Sequence, residues 1–439
     1  MGYKVDITTN TISSTGGTAL VGKILEKICF KGFLAKENIK YTDTLTSLVG
    51  LFANARTRFE EIRMYKNDTF FQDSLGLSHT PAPETLRLYL EKLIPQKKEV
   101  FTAIKNASQS LLKKAIISPV HTSKELYIPV DIDTSPMDNS KSKKEGVSRT
   151  YKQFDGFHPI FAYIGQEGYM LNCELREGKQ HCQNGAPEFI CQVLNDLAQL
   201  KLKKPVLFRL DAGHDSINIL ESLNSSGHFF LVKRNLRKEK HEYWEAVAKA
   251  QGEITVQNER KTVYTGFHTG KKPANDDTFP AIDIVFKVTE RYIAKDGTRL
   301  LFPELEVETY WTNLYEDPDT VIKLYHDHGT SEQFHSELKT DMNFERLPSG
   351  KFAVNEILLY VAMLTFNILR FIGQKALHFK DALPYRTKAK RKRLRKVIDD
   401  LIRIAVKFVK HSRTKIIKLW NKDPWLKCFQ LLYKSICSL

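Results

Sequence analysis

The sequence predicts an α/β protein in which a mixed sheet covered by helices is interrupted by a β-rich insertion. Three observations predict this class. Apolar runs rich in β-formers alternate with helical segments over residues 126–233, and two of these runs end in an aspartate. Short β-like runs separated by Gly, Asn and Asp fill residues 236–320. Apolar residues at three- and four-residue steps, the helical period, dominate both ends of the chain.

Residues 1–115 are predicted to form a helical DNA-binding domain. Apolar residues recur at helical steps in residues 20–28 and 45–59. A turn is predicted at Gly76, and a further helix follows it. Two helices joined by a short turn that contains glycine are typical of DNA-reading units, although many such helix pairs contact no DNA.

The helix after Gly76 is predicted to begin with Thr80 as its N-cap and Pro81 as its first helical residue. Helical spacing separates an apolar face of this helix from a polar face. The apolar face comprises Leu86, Leu90 and Leu93. The polar face carries the candidate DNA contacts of this domain, Arg87 and Lys92.

Residues 116–235 are predicted to form the mixed sheet. The predicted order is three strands, a helix, a strand, a helix and a strand. The second and third strands flank residues 165–168 and form a hairpin. The later strands return through helical crossovers, so antiparallel and parallel pairs are expected in one sheet.

Two predicted buried strands of this sheet end in an acidic residue, Asp133 and Asp211. Open α/β sheets bind ligands at their strand ends, so we expect these two carboxylates to lie side by side. A carboxylate buried without a partner is costly, and a divalent cation is one common partner. Asp131 shares the strand face of Asp133 and is a rival for the first metal position.

A third carboxylate, Glu332, lies between Tyr325, His328 and Lys339 at helical intervals. Such spacings stack side chains on one helix face, so a carboxylate flanked by phosphate-binding groups is predicted to face one cleft. Three carboxylates can hold two magnesium ions roughly 4 Å apart for phosphodiester chemistry. Alternatively, Glu332 pairs with a neighbouring cation on a solvated helix face.

The remaining segments complete the predicted organisation. Residues 236–320 are interpreted as an inserted β-rich subdomain, after which residues 321–378 supply the helices that carry the glutamate. The apolar stretch 352–373 is interrupted by polar residues, which favours a buried amphipathic helix over a membrane span. Residues 379–439 are predicted to be a basic helical tail.

The charge of the chain favours a polyanionic partner. The 439 residues carry a formal net charge of +16, and the pI is near 9.3. Nucleic acid is the leading partner, ahead of an anionic membrane surface. Part of the charge is concentrated in residues 386–396, which are either a DNA contact or a solvated basic face. The candidate DNA contacts in this run are Lys390, Arg391 and Arg393.

Cysteine content and the first residues indicate the compartment. Six irregularly spaced cysteines favour reduced thiols and lack the short Cys-x-x-Cys pairs of structural zinc sites. No basic and apolar leader follows Met1. We therefore expect a cytoplasmic, nucleoid-associated bacterial protein.

The order of several motifs resembles the DDE-type insertion-sequence transposases. It runs from Asp133-Thr134 through Asp211 and a β insertion to Tyr-x6-Glu-x6-Lys. These transposases move DNA by cut and paste. Three motifs most resemble the insertion-sequence family numbered 1380. They are Phe-Asp-Gly-Phe-His-Pro from residue 154, Gly-Tyr-Met-Leu from residue 168 and Arg-Glu-Gly-Lys from residue 176. The resemblance covers roughly residues 125–375.

The resemblance implies a ribonuclease H-like fold and roles for single residues. Asp133, Asp211 and Glu332 correspond to the metal-binding catalytic triad, which takes two Mg²⁺ ions, with Mn²⁺ as a substitute. Asp133 is preferred over Asp131 because the family pattern is Asp followed by Thr. Tyr325 and Lys339 correspond to DNA-phosphate contacts.

His328 departs from the pattern, since related hairpin-forming transposases have an arginine there. A bidentate phosphate clamp would become a single, pH-dependent donor. In such relatives, aromatic residues of the insertion hold a flipped base, as aromatic faces can recover lost stacking. The candidates for this role are Trp244 and Trp311, followed by Tyr264 and Phe267. Packing in the core is the alternative for each of them.

The implied activity is Mg²⁺-dependent cleavage and strand transfer of double-stranded DNA, at terminal inverted repeats and in target DNA. A homodimer is expected, because two element ends must be cut and joined. Two alternatives stay open: a catalytically silent DNA-binding derivative and a nuclease of the same fold.

Overall fold

The computed structural model describes residues 3, 8, 10–269, 282–294, 296–411 and 414–439. Within these residues the chain forms a ten-stranded mixed sheet, two three-stranded sheets and helices that surround them. The strands of the large sheet lie in the order β11-β12-β13-β14-β10-β9-β3-β7-β8, and β2 pairs with β3. In chain order, the strands are β1 (Ile12–Ser13), β2 (Val120–His121), β3 (Leu126–Thr134), β4 (Met137–Asp138), β5 (Ser148–Arg149), β6 (Asp155–Phe157), β7 (Ile160–Ile164), β8 (Tyr169–Glu174), β9 (Val206–Leu210), β10 (Phe229–Lys233), β11 (Glu253–Gln257), β12 (Lys261–Thr269), β13 (Asp283–Ile293), β14 (Arg299–Thr312), β15 (Val406–Lys410) and β16 (Lys415–Leu419).

The α-helices cover the large sheet and build the two ends of the chain. They are α1 (Thr18–Lys27), α2 (Phe30–Lys36), α3 (Thr42–Ala53), α4 (Thr69–Leu75), α5 (Pro83–Leu93), α6 (Lys97–Leu112), α7 (Ala186–Leu200), α8 (Ile217–Ser225), α9 (His241–Gln251), α10 (Pro318–His326), α11 (Ser331–Ser336), α12 (Phe352–His378), α13 (Leu394–Val397) and α14 (Leu426–Cys437).

The centre of the sheet has the predicted mixed topology. β3 pairs antiparallel with β7, and β7 pairs antiparallel with β8, whereas β9 is parallel to both β3 and β10. The β7–β8 turn contains Gly165 and Gly168, both with left-handed φ, as a tight hairpin requires. Helices α7 and α8 supply the crossovers that parallel pairing needs. The α/β class predicted from the sequence is therefore confirmed.

The strands of the predicted β-rich insertion belong to the large sheet. β14 pairs antiparallel with β10, so β11–β14 extend the sheet of β3, β7, β8 and β9. An open sheet edge presents unpaired backbone groups, and the long strand β14 satisfies those of β10. The helix α9 was not predicted. Ala281, where one β-like run was predicted to start, lies outside the described residues.

Helix α12 joins the N-terminal helices to the sheet. It contacts α3 and α6 on one side and β8 on the other, and a single hydrophobic core runs through all of them. By length and composition it is the one described helix able to cross a membrane, but 83% of its most apolar window is buried inside the protein. Asn367 explains one polar interruption, since its side chain bonds the backbone N–H and C=O of Met170 at 2.7 Å each.

The C-terminal region is not the wholly helical tail that was predicted. β15 and β16 form a hairpin, and β1 from the other end of the chain adds a third strand. Val406 and Phe408 alternate with lysines, a two-residue period that favours a half-buried strand. The basic composition of this region masked that period.

In the N-terminal helices, the predicted turn at Gly76 and the buried face of α5 are confirmed. Gly76 has a φ of 63°, and the three predicted leucines of α5 are fully buried. The predicted start of α5 was wrong by two residues, because Ala82 is the N-cap and Pro83 the first helical residue. The hydroxyl of Thr80 instead donates to the backbone carbonyl of Tyr65 at 3.3 Å.

The close packing of the β7–β8 hairpin on α11 can be tested at Gly168. Its φ is 69°, and a Cβ placed there would collide with the ring of Phe334. We expect Gly168→Ala to lower the free energy of unfolding by more than the roughly 1–2 kcal/mol of left-handed strain alone. The control is Gly227→Ala, since Gly227 has a φ of 71° and open space within 4 Å. Chemical denaturation measures both, and equal losses would contradict close packing against Phe334.

Candidate active site

The two predicted strand-end aspartates occupy neighbouring positions on one face of the sheet. In the parallel register of β3 and β9, Ile132 is paired with Leu210, so the next residues, Asp133 and Asp211, follow side by side. Successive residues of a strand face opposite sides. The even-numbered residues of both strands lie in the main core, which leaves the odd-numbered ones on the face that α10 covers.

Asp133 is partly buried next to a histidine. Its Oδ2 lies 3.2 Å from Nε2 of His335, and Nδ1 of His335 lies 3.2 Å from the hydroxyl of Tyr163. Burial raises the pKa of Asp133, but the hydrogen bond and charge of His335, with further charge from His328 and His214, bring it below its ordinary value. The carboxylate is therefore ionised at neutral pH.

Asp211 begins the loop after β9 and has its own histidine. Its Oδ1 accepts from the backbone N–H of Gly213 at 3.1 Å and lies 2.7 Å from Nδ1 of His214. His214 is completely buried, whereas the Asp211 side chain is 46% exposed. The buried imidazole thus fixes the rotamer of a carboxylate that still reaches solvent.

Asp131, the rival metal ligand, already has charged partners. Arg209 binds it with two parallel bonds, Nε to Oδ1 at 2.7 Å and a terminal nitrogen to Oδ2 at 2.8 Å. Nδ1 of His328 lies 2.8 Å from the same Oδ1. Burial raises the pKa of Asp131, and the charges of Arg209 and His328 lower it to a net value below the ordinary one. This placement favours Asp133 as the first metal ligand.

The segment that carries Glu332 is not one regular helix, as the spacing had predicted. It passes from α10 into a 3₁₀ turn, Asp327–Thr330, then into α11 and finally into a π-helical turn, Glu337–Asp341. The tighter 3₁₀ turn changes the angle between residues, so Glu332 is exposed while His328 is buried. The predicted geometry, a single regular helix with four side chains on one face, therefore does not hold for this segment.

His328 lies against Asp131 and not at the surface that a phosphate contact requires. Tyr325 and Lys339 are half-buried near the aspartates. Burial raises the pKa of Tyr325, and the charges of Asp211 and Asp133 raise it further. The amino group of Lys339 donates to the carbonyl of Pro136 at 3.0 Å, and burial lowers its pKa.

Tyr151 is an exposed phenol whose pKa responds to all three candidate carboxylates. It is 60% exposed in the turn between β5 and β6, and its ring centroid lies 5.2 Å from that of His158. Partial burial raises its pKa, and the charges of Asp133, Asp211 and Glu332 all raise it further. One phenol therefore lies within electrostatic reach of all three.

The donor chemistry of these residues fits a hard divalent cation, which prefers carboxylate oxygens. The ionised Asp133 and the exposed carboxylates of Asp211 and Glu332 are donors of this kind. Across the described part of the chain, no three histidine, cysteine or acidic side chains already form a metal-binding group.

Comparison with known proteins agrees with this donor chemistry. The family model of the transposase DDE domain, group 1, matches residues 3–439, nearly the whole chain. The chain belongs to this family. It is a DDE transposase, and transposases with this domain use divalent metal ions.

Among solved structures, the transposase is similar to a piggyBac transposase in a synaptic complex with hairpin DNA, studied by cryo-electron microscopy. The identity is 12% and the TM-score 0.44, over 88% of this chain and 80% of that chain. Among curated proteins, none matches this sequence.

The two tryptophans predicted to stack on a flipped base have other contacts. Trp244 is buried, and its Nε1 donates to Glu239 at 2.8 Å. The guanidinium of Arg234 lies 4.5 Å above the ring of Trp311, whose Nε1 donates to Asp215 at 2.9 Å. Trp311 therefore links the insertion to the Asp211 loop, whereas Trp244 packs within the insertion.

The predicted DNA contacts fall into two groups. Arg87 bonds Glu60 on the outer side of α5, where Lys92 is also exposed, and Lys390 is exposed near the C-terminal helices. The other two have acidic partners: Arg391, which is mostly buried, contacts Glu337, and Arg393, whose side chain is 56% exposed, contacts Asp341.

Two signals in the sequence were not used in predicting the site. His214 follows Asp211 by three residues and His335 follows Glu332 by three, and each imidazole bonds a candidate metal ligand. Histidine three residues after an expected metal ligand is visible in the sequence. Tyr151 gave no such signal, because only the fold of a turn brings it to the site.

The Asp131–Arg209 pair gives a test of the site's scaffold. We expect Asp131→Asn to lower the free energy of unfolding by about 3–5 kcal/mol, because Arg209 would be left buried without its counter-ion. Replacing both, as Asp131→Leu with Arg209→Met, is expected to cost less than the single change. Urea denaturation of the single and double variants measures the coupling. Additive losses would show that the pair is not a unit.

Proposed function

We propose that this transposase binds double-stranded DNA at the terminal inverted repeats of an insertion sequence of the family numbered 1380. It then cleaves the DNA and transfers it to target DNA by cut and paste, with Mg²⁺ as the cation and Mn²⁺ as a substitute. One observation carries the proposal: two carboxylates at neighbouring strand ends lie on the same sheet face as the segment that carries Glu332.

In this proposal Asp133, Asp211 and Glu332 hold the cations. Bound cations would supply activation of the attacking oxygen and charge stabilisation at the leaving oxygen. His335 and His214 keep Asp133 and Asp211 in the orientation needed to bind, as outer partners of metal ligands commonly do.

The DNA backbone is positioned by groups around the carboxylates. Lys339, whose ammonium donates to the carbonyl of Pro136 close along the chain to Asp133, serves as a phosphate partner. The phenol of Tyr325 is likewise close to both aspartates. Further away, the exposed cations Arg87, Lys92 and Lys390 bind the element ends through salt-sensitive contacts. Two copies of the chain act together, one for each element end, in the nucleoid of a bacterial cytoplasm.

Tyr151 takes the stacking role that had been expected of the tryptophans. Its ring is exposed within electrostatic reach of all three carboxylates, and we expect an unpaired terminal base to lie there after cleavage. Aromatic faces stack on bases without regard to sequence.

Excision of a marker flanked by the element's own ends tests the activity. Glu332→Gln is expected to reduce excision about a hundredfold or more, because a cation ligand is lost, while binding of the ends is retained. The matched control is Glu99→Gln, which removes another exposed carboxylate, on α6. Equal excision by wild-type protein and Glu332→Gln would refute the role of Glu332.

The same experiment separates the alternative functions. Firm binding of the ends without excision by wild-type protein would favour a silent DNA-binding derivative. Cleavage that does not depend on the terminal repeats would favour a nuclease of this fold.

The stacking role of Tyr151 has its own measurement. We expect Tyr151→Ala to weaken binding of a DNA end with an unpaired terminal base by about 1–3 kcal/mol, whereas Tyr151→Phe keeps the ring and the affinity. Fluorescence anisotropy with frayed and fully paired ends compares them. Equal losses on both ends would assign Tyr151 a role other than stacking.

A further inference from the structure

The basic run of residues 386–396 contains two kinds of cation. Arg386, Lys388 and Lys390 are exposed. Three others contact the segment that carries Glu332, and we call them the paired arginines. They are Arg391, Arg393 and Arg395. Arg391 is mostly buried, whereas the side chains of Arg393 and Arg395 are 56% and 48% exposed.

Arg391 contacts α11 directly beside Glu332. One terminal nitrogen donates to the side-chain oxygen of Gln333 at 2.7 Å, and the guanidinium lies 4.4 Å above the ring of Phe334. Its Nε is 3.5 Å from Oε1 of Glu337, and the side chain is only 13% exposed. One planar cation therefore holds the two residues that follow Glu332 and one a turn later.

The π-helical turn after α11 supplies the acidic partners. Glu337 is buried between Arg391 and the fully buried Arg370 of α12. Asp341, also buried, accepts two bonds from Arg393 at 2.8 and 3.2 Å, and Arg395 donates from its backbone at 3.1 Å. A buried ion pair fixes geometry more than it adds stability.

Apolar packing alone does not hold this side of α11. An open pocket of about 420 Å³ borders this side of the helix, and Thr330, Gln333, Phe334, Glu337 and Arg391 line it together with the exposed Lys390 and Arg393. A helix side that borders an open pocket has fewer packing partners. The position of α11 thus depends on the polar contacts at the edge of this pocket.

We propose that Arg391 is a positioning residue for Glu332, and that the paired arginines hold α11 and the turn after it while the exposed Arg386, Lys388 and Lys390 meet DNA. The inference rests on the proposed function for the role of Glu332, but the contact between Arg391 and α11 does not. Part of a run that has the composition of a DNA-binding tail therefore contacts the segment that carries Glu332.

Adjacent residues give a matched pair of variants. Arg391→Gln and Lys390→Gln each remove one positive charge. Arg391 is mostly buried, whereas Lys390 is exposed. Arg391→Lys keeps the charge but loses the planar stacking on Phe334 and the fork towards Gln333.

Hydrogen exchange of the protein without DNA is the first readout. Arg391→Gln is expected to speed amide exchange in residues 331–341 by about tenfold or more, because charge-assisted bonds are lost. Lys390→Gln is expected to leave that exchange unchanged, and Arg391→Lys to lie between the two. If Arg391→Gln fails to fold, Arg391→Lys carries the same comparison.

The salt dependence of DNA binding is the second readout. Lys390→Gln is expected to reduce the slope of log affinity against log salt by about 0.9, the value of one phosphate contact, and Arg391→Gln to leave it unchanged. A lower slope with unaltered exchange in Arg391→Gln would overturn the proposal and make Arg391 a DNA contact. If wild-type protein neither binds nor cleaves DNA, the proposed function fails, while the exchange result still decides the contact with α11.

Discussion

The buried ion pair between Asp131 and Arg209 is the constraint on which the site's geometry depends. It joins the two central strands, and the same guanidinium donates to the carbonyl of Leu324 at 2.8 Å. His328, which lies within the 3₁₀ turn after α10, completes the link. Because charges removed from water are tolerated only with good partners, this arrangement admits few alternatives. Asp133, two residues along the strand, then faces α11 by the alternation of the pleat.

The parts of the site that could be predicted are those set by local pattern. Apolar runs that stop at an aspartate define buried strands, and α7 and β9 have the bounds that the sequence indicated. The parallel register of β3 and β9 follows from the crossover through α7, so neighbouring positions for Asp133 and Asp211 were within reach of sequence reasoning.

The parts that could not be predicted depend on contacts distant in the chain. Spacing from Tyr325 to Lys339 assumes 3.6 residues per turn throughout, and both a 3₁₀ and a π-helical turn violate that assumption. The role of His328 depends on Asp131, 197 positions away. Likewise, β14 joins β10 across the whole insertion, and no local signal distinguishes such pairing from a separate sheet.

Net charge is a poor guide to where a basic protein touches its partner. The excess of +16 remains after 51 acidic residues are counted, yet several arginines in the most basic run have acidic partners inside the protein. Arg391 shows the physical cost: burial, together with the charges of Arg370 and Arg393, lowers its pKa to about 10. A guanidinium held in such an environment contributes little to a long-range field, because Glu337 screens it at short distance. This arginine acts instead through its geometry. Its planar guanidinium fixes the orientation of α11 where an open pocket leaves apolar packing incomplete.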